Sequence, residues 1–211
     1  MIVTTDASCC GLAEQYPPAT EVHLRYPPGG AANHAAALEA ARRTISLVAP
    51  PPDIVLCLDD DVVILSPEFG ATLRDAFTAE VGAWGATGIR DPLHPSCLAM
   101  RRDLFAQMTT FHATLPMHDT SGRAQAEIVS WGYSLYPVAG VRLYPEGWDA
   151  FGVDRTNGGY LWAHLGGGVI HSRVPWWRRA GRHVKAALGH DASRDLIVKA
   201  RMRERWVEKY A

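Results

Sequence analysis

Residues 54–58, Ile-Val-Leu-Cys-Leu, form an unbroken apolar run that ends in Asp59, Asp60 and Asp61. Five consecutive apolar side chains without alternation read as a strand covered on both faces. With Val62, Val63 and Ile64 beyond the aspartates, residues 53–64 are expected as one buried strand. Such a strand must be covered on both faces, and helices before and after it in the sequence make an α/β layer architecture the expected one. The flanking segments agree. Residues 31–48 are rich in strong helix formers, with Ala35, Leu38, Ala41, Ile45 and Val48 at helical spacing, and Pro50, Pro51 and Pro52 stop the pattern. Ser66, Pro67 and Glu68 predict the start of a helix reaching Phe77, with Ser66 as its cap. Residues 2–5 and 21–26 are short β-type runs. Alternating strand and helix predicts a Rossmann-like, mixed but mainly parallel sheet flanked by helices, with its site at the strands' C-terminal edge.

The second half carries more Gly and Pro, in 81–89 and 95–105. It then continues with a helical segment over 124–136 and strands over 141–145 and 160–171. The simplest division is a domain over 1–172 and a helical C-terminal extension over 173–211. Charge separates the same parts. Residues 173–211 hold 11 Lys and Arg against 4 Asp and Glu, net +7, which leaves net −8 for the rest. A basic tail on an acidic body suits a polyanion such as nucleic acid, an anionic membrane or a phosphate; a solvated helix packed on the body accounts for it equally well.

No window reaches the 18 uncharged apolar residues of a membrane span, and MIVTTDASCC has neither the basic leader nor the apolar core of a signal peptide. A cytoplasmic protein is expected, with Cys9, Cys10, Cys57 and Cys97 reduced. No C-x-x-C pair argues for structural zinc. Walker-type, G-x-G-x-x-G, H-E-x-x-H and G-x-S-x-G patterns are all absent, which removes support for ATPase, dinucleotide oxidoreductase, zincin and α/β-hydrolase chemistry. At the end of the central strand, Asp59 and Asp61 alternate and can point the same way. Hard oxygen ligands suit Mg²⁺ or Mn²⁺, and a cation held by so few carboxylates completes its shell with water and substrate phosphates.

In this setting LCLDDDVVI resembles the D-x-D segment of nucleotide-diphosphate-sugar glycosyltransferases of the GT-A fold. The preceding helix, GGAANHAAALEAAR, resembles the family's G-x-x-x-R-N-like segment: Asn33 matches, while Ala32 stands where Arg is usual and Arg25 is a substitute. The resemblance, over about residues 1–172, implies a metal-dependent transferase with a UDP-sugar donor. Thr4, Asp6, Arg25, Asn33, Asp59 and Asp60 would meet the donor, and Asp59 and Asp61 the metal. WAHLGGGVIHS resembles the segment that supplies a His ligand, either His164 or His171. Residues 126–145 resemble the stretch whose acidic residue is the general base of inverting members; Glu127 falls there, with Asp119 as its rival, because an attacking hydroxyl must lose its proton.

Size and architecture are also similar to those of phage TET-associated glycosyltransferases that modify 5-hydroxymethylcytosine in DNA. That would make DNA the acceptor, contacted through residues 173–211, and would place the protein in a host cytoplasm. Arg178, Arg179, Arg182 and Lys185 would meet phosphates, and Trp131, Tyr133, Trp148, Tyr160 and Trp162 would be stacking partners for a flipped base. Asp91, His94 and His118 would line the acceptor side. The alternatives are a lipid-linked or polysaccharide acceptor reached through peripheral membrane contact, a metal-dependent nucleotidyltransferase, and a nucleic-acid-binding protein without transferase activity.

Overall fold

A computed structural model of the chain describes residues 2–6, 20–24, 31–59, 62–88, 91–112, 120–143, 148–153 and 158–164. The described residues fall into two compact units, one within 1–59 and 73–138, the other within 60–72 and 139–211. The expected boundary at residue 172 and the basic tail lie outside the described residues. No described helix is long and apolar enough to cross a membrane.

In the first unit, β1 (Ile2–Asp6) and β2 (Thr20–Leu24) form a parallel pair, Thr4 opposite Val22 and Asp6 opposite Leu24. Helix α1 (Ala31–Thr44) follows and ends in a 3₁₀ turn over Ile45–Leu47. It buries the stripe read from its sequence: Ala35, Leu38 and Ile45 are in the core, with Ala41 and Val48 partly covered. A four-stranded sheet runs in the order β3 (Ile54–Leu58), β6 (Leu93–Arg101), β5 (Val81–Thr87), β7 (Ser134–Val138). Leu98 and Met100 of β6 meet α1, Leu104 and Phe105 of α3 (Arg102–Gln107), and Ile128 of α4 (Gly122–Ser130) in one apolar core. Gly82 sits where β5 slips register against β7. A Cβ there would come within 2.5 Å of Ile128 and 2.8 Å of Tyr133, so the close approach of α4 to the sheet requires glycine.

The second unit holds β4 (Val62–Ile64), β10 (Trp162–His164), β9 (Trp148–Phe151) and β8 (Gly140–Leu143) in that order, all antiparallel. Trp162 is fully buried, stacked on Phe151 at 5.3 Å between ring centroids and met edge-on at 5.7 Å by Phe69. Phe69 opens α2 (Phe69–Ala76), just after a turn in which the Ser66 hydroxyl accepts the Glu68 N–H at 3.0 Å.

Three expectations change. The sheet is mixed, as expected, but not mainly parallel: of the described pairs, only β1 with β2 and β5 with β7 are parallel. The link between β5 and β6, residues 88–92, is too short for the crossover a parallel pair needs, so these strands form an antiparallel hairpin. Residues 53–64 are two strands in different sheets rather than one. Of these, β3 is half-buried, with Leu58 44% exposed, because it ends its ladder; the covered strands are β5 and β6. Finally, the helix expected over 124–136 stops at Ser130. Gly132 at φ +87° closes it, with Tyr133 N–H bonded to the Ile128 carbonyl and Gly132 N–H to that of Val129, and 134–138 continues as strand.

Candidate active site

Asp59 leaves the ladder at the end of β3, its N–H donating to the Ser96 carbonyl of β6 at 2.9 Å. This bond fixes the backbone from which the carboxylate projects. His34, in the first turn of α1, brings its Nε2 to 3.4 Å from Asp59 Oδ1, with both side chains about a quarter exposed. A carboxylate and an imidazole thus share one partly open edge. On the neighbouring strand, Ser96 N–H donates to His94 Nδ1 at 3.2 Å and the Ser96 hydroxyl lies 2.9 Å from the same nitrogen. A backbone N–H needs an acceptor, so Nδ1 presents its lone pair and the ring proton resides on Nε2.

Behind this edge stand two thiols. Cys97 is buried and Cys57 half-buried, both free. Burial, and then the negative charge of Asp59, push the Cys57 thiol up from 9.0 to about 12; burial raises Cys97 as well, followed by Cys57 and Asp59. With a folded value above the unfolded one, each thiol supports folding fully below the unfolded value. That contribution fades as pH rises toward the folded one. Stability is therefore expected to fall from about pH 9 upward. At neutral pH, iodoacetamide should label Cys57 at least about 10-fold more slowly than an unfolded-chain thiol, the smaller thiolate fraction being offset in part by a more nucleophilic thiolate, as read by peptide mass spectrometry. Labelling of Cys57 at the unfolded-chain rate would contradict this placement.

Glu127 projects from α4 with its side chain 18% exposed. Its Oε2 accepts the Thr109 N–H at 2.9 Å, and Arg123 lies 3.7 Å from Oε1. Glu39 of α1 does the same two residues on: Oε1 accepts the Phe111 N–H at 3.0 Å, while Oε2 takes Arg42 through Nε and Nη2 at 3.0 and 2.9 Å. Two carboxylates from two helices thus hold the backbone of residues 109–111. An open cleft of about 350 Å³ lies against them, lined by Ala36, Glu39, Ala40, Arg42, Arg43, Thr109 and His112. At the head of α4, Ser121 is buried at φ +70° and donates its N–H to the Phe111 carbonyl at 3.0 Å. Gly122 packs so tightly on the buried Asp91 carboxylate that any side chain there would collide with it. Gln125, also buried, grips Leu93 with both ends of its amide, accepting from N–H at 2.9 Å and donating to C=O at 2.7 Å.

Of the residues singled out by sequence, Thr4 and Asp6 are on β1, Asn33 is in the first turn of α1, and Asp59 is at the end of β3. His164 is buried on β10, opposite Val62 on one side and the buried Asp149 on the other. Val62 is the residue that follows Asp61 in the chain. Arg25, Asp60, Asp61, His118, Asp119 and His171 lie outside the described residues. Among the aromatic candidates, Trp162 is core, Tyr133 lies under the Arg101 guanidinium at 5.6 Å, and Trp131 is 41% exposed. His34, Glu39 and Gln125 were not legible as site or anchor residues, since each meets a partner more than 20 positions away.

The chain matches no family model and no curated protein. Among solved structures it is similar to the mannosyltransferase PcManGT from Pyrobaculum calidifontis in complex with GDP-Man and Mn²⁺, with TM-score 0.48 and 20% identity. The likeness covers 64% of this chain and 44% of that one, so the chain spans less than half of that protein's length.

Proposed function

We propose that the chain is a metal-dependent glycosyltransferase of the GT-A type that moves a sugar from a nucleotide diphosphate, UDP in the first instance, to a hydroxyl acceptor. The observation that carries this reading is the placement of Asp59. Its carboxylate stands at the end of a strand, partly exposed, and meets the first turn of the helix whose sequence resembles in part the nucleotide-sugar pattern. The carboxylate oxygen suits Mn²⁺ or Mg²⁺, and an imidazole nitrogen beside it favours Mn²⁺ of the two; among the described residues no third such side chain joins them. Asp59 and Asp61 are the proposed ligands, with His164 or His171 as a third. When bound, the cation offsets the negative charge of the diphosphate and of the departing nucleotide. Asp6 and Thr4 on β1, Asn33 on α1, and Arg25 and Asp60 are assigned to donor contacts.

Asp119 is assigned as the general base that takes the acceptor's proton. The carboxylate of Glu127 already holds the Thr109 N–H, which supports a positioning role for it, whereas Asp119 immediately precedes Thr120 and the head of α4. Asp119→Asn is then expected to lower turnover by about 10²–10⁴-fold with the donor constant little changed. Glu127→Gln keeps an oxygen for Thr109 and should cost far less. The reverse ranking in steady-state kinetics would return the base to Glu127. Inversion of the anomeric centre and a cytoplasmic setting belong to the same reading. The net +7 of residues 173–211 supports an acceptor that is polyanionic or borne on an anionic membrane, so hydroxymethylated DNA and lipid-linked acceptors are tried side by side.

The test is incubation of the full chain with Mn²⁺, a panel of UDP- and GDP-linked sugars, and 5-hydroxymethylcytosine DNA or lipid-linked acceptors, with products identified by mass spectrometry. Mass gain on an acceptor, or metal-dependent donor hydrolysis without one, supports the transferase. Neither product with any donor would end it.

A further inference from the structure

Resting on the transferase reading, we infer that His34 is itself a ligand of the cation that Asp59 holds, supplied by the helix rather than by the aspartate segment. The distance is the first reason. His34 Nε2 and Asp59 Oδ1 are 3.4 Å apart, longer than the roughly 2.7–3.2 Å of an N–H···O hydrogen bond. On an octahedral Mn²⁺ or Mg²⁺, two neighbouring ligand atoms at about 2.0–2.1 Å stand about 3.0 Å apart. The pair is a few tenths of an ångström wider than that, a gap that small side-chain rotations close when an ion enters.

The second reason is that both groups are held from behind. Asp59 is tied through its N–H to Ser96, and His34 is carried on a helix whose next turn, Ala35 and Leu38, is in the core. Their separation is set by the fold of the first unit, while their quarter exposure leaves room for water or a phosphate oxygen in the remaining positions.

The experiment is Mn²⁺ titration of the full chain without nucleotide. Electron paramagnetic resonance reads free Mn²⁺, and pulsed measurements on ¹⁵N-histidine-labelled protein count directly bound nitrogen. His34→Ala is expected to weaken Mn²⁺ binding by about 10–100-fold or more, taking loss of an outer-shell partner as the lower bound, and to remove one nitrogen from the ion. Alanine favours the helix, so an unchanged circular dichroism spectrum should accompany the loss. His34→Gln keeps a hydrogen-bonding group in place of the ring. Wild-type affinity in that variant, or an unchanged nitrogen count in His34→Ala, would overturn ligation and leave His34 as a hydrogen-bonding or charge partner of Asp59. Tighter Mn²⁺ binding in His34→Ala would do the same. Donor turnover by wild type with Mn²⁺ binding insensitive to His34 sinks this inference alone. Nitrogen-bound Mn²⁺ that depends on His34, without turnover of any donor, sinks the transferase and leaves the site; a wild type that binds no Mn²⁺ removes both.

Discussion

Asp59→Asn is expected to reduce sugar transfer by at least about 10²–10³-fold, the scale on which loss of one transition-state electrostatic contact is felt. Asparagine keeps the shape of the side chain, and the Asp59 N–H bond to Ser96 is a backbone bond, so the end of β3 should stay in place. What disappears is the charge. An amide oxygen is a poor ligand for a hard cation beside an anionic diphosphate, and the departing nucleotide then builds up charge against weaker compensation. The partner, His34, is about a quarter exposed, so lost pairing should change stability by no more than about 0.5 kcal/mol after solvent screening. Rate measurements across Mn²⁺ concentration, alongside thermal melts, separate these effects, and Asp61→Asn should behave alike. Undiminished transfer by Asp59→Asn, or by the wild type in excess EDTA, would remove the aspartates from the site.

The second large effect is structural. Trp162→Ala should destabilise the second unit by about 3–5 kcal/mol, because its ring is fully buried between Phe151 and Phe69 and the surrounding strands cannot collapse into the space. Trp162 lies two residues before His164 on a strand of three, so loosening β10 also loosens the register that sets His164 opposite Val62 and Asp149. Trp162→Phe retains the stacked ring and should recover most of the loss. Urea unfolding followed by far-UV circular dichroism measures both. A loss below about 1 kcal/mol for the alanine variant would mean that the aromatic trio is not the centre of that unit.

How much was legible from sequence follows from the range of the forces involved. The helix over 31–44 was readable because its apolar stripe and the prolines that end it are local. Asp59 was readable as the end of the apolar run, although the reading carried the strand on through Ile64, where a second strand in another sheet stands. Strand pairing was not readable: whether Ile54–Leu58 is central or outermost depends on partners 40 residues away, and Leu58 carries no sign of its exposure. Acidic residues were the hardest to sort. Glu39, Asp91 and Glu127 look alike in the sequence, yet one holds Phe111, one lies on the first turn of α4 and one holds Thr109. Gln125 looks like an ordinary helix former until its amide is found bridging both backbone groups of Leu93.

The bond from Ser121 N–H to the Phe111 carbonyl brings the two ends of residues 112–120 to one point, with Glu39 fastening Phe111 from behind and α4 starting directly after. A segment whose ends are joined at its base can be exchanged as a cassette. Its closure entropy grows only about as the logarithm of its length, so a replacement several residues longer should cost on the order of 0.6 kcal/mol per doubling. The chain therefore offers a natural graft point: libraries over residues 112–118 would vary the sequence that leads to Asp119 while that residue is kept and the apolar core of the first unit stays untouched. For directed evolution, this makes the stretch the first place to diversify when a new acceptor is sought.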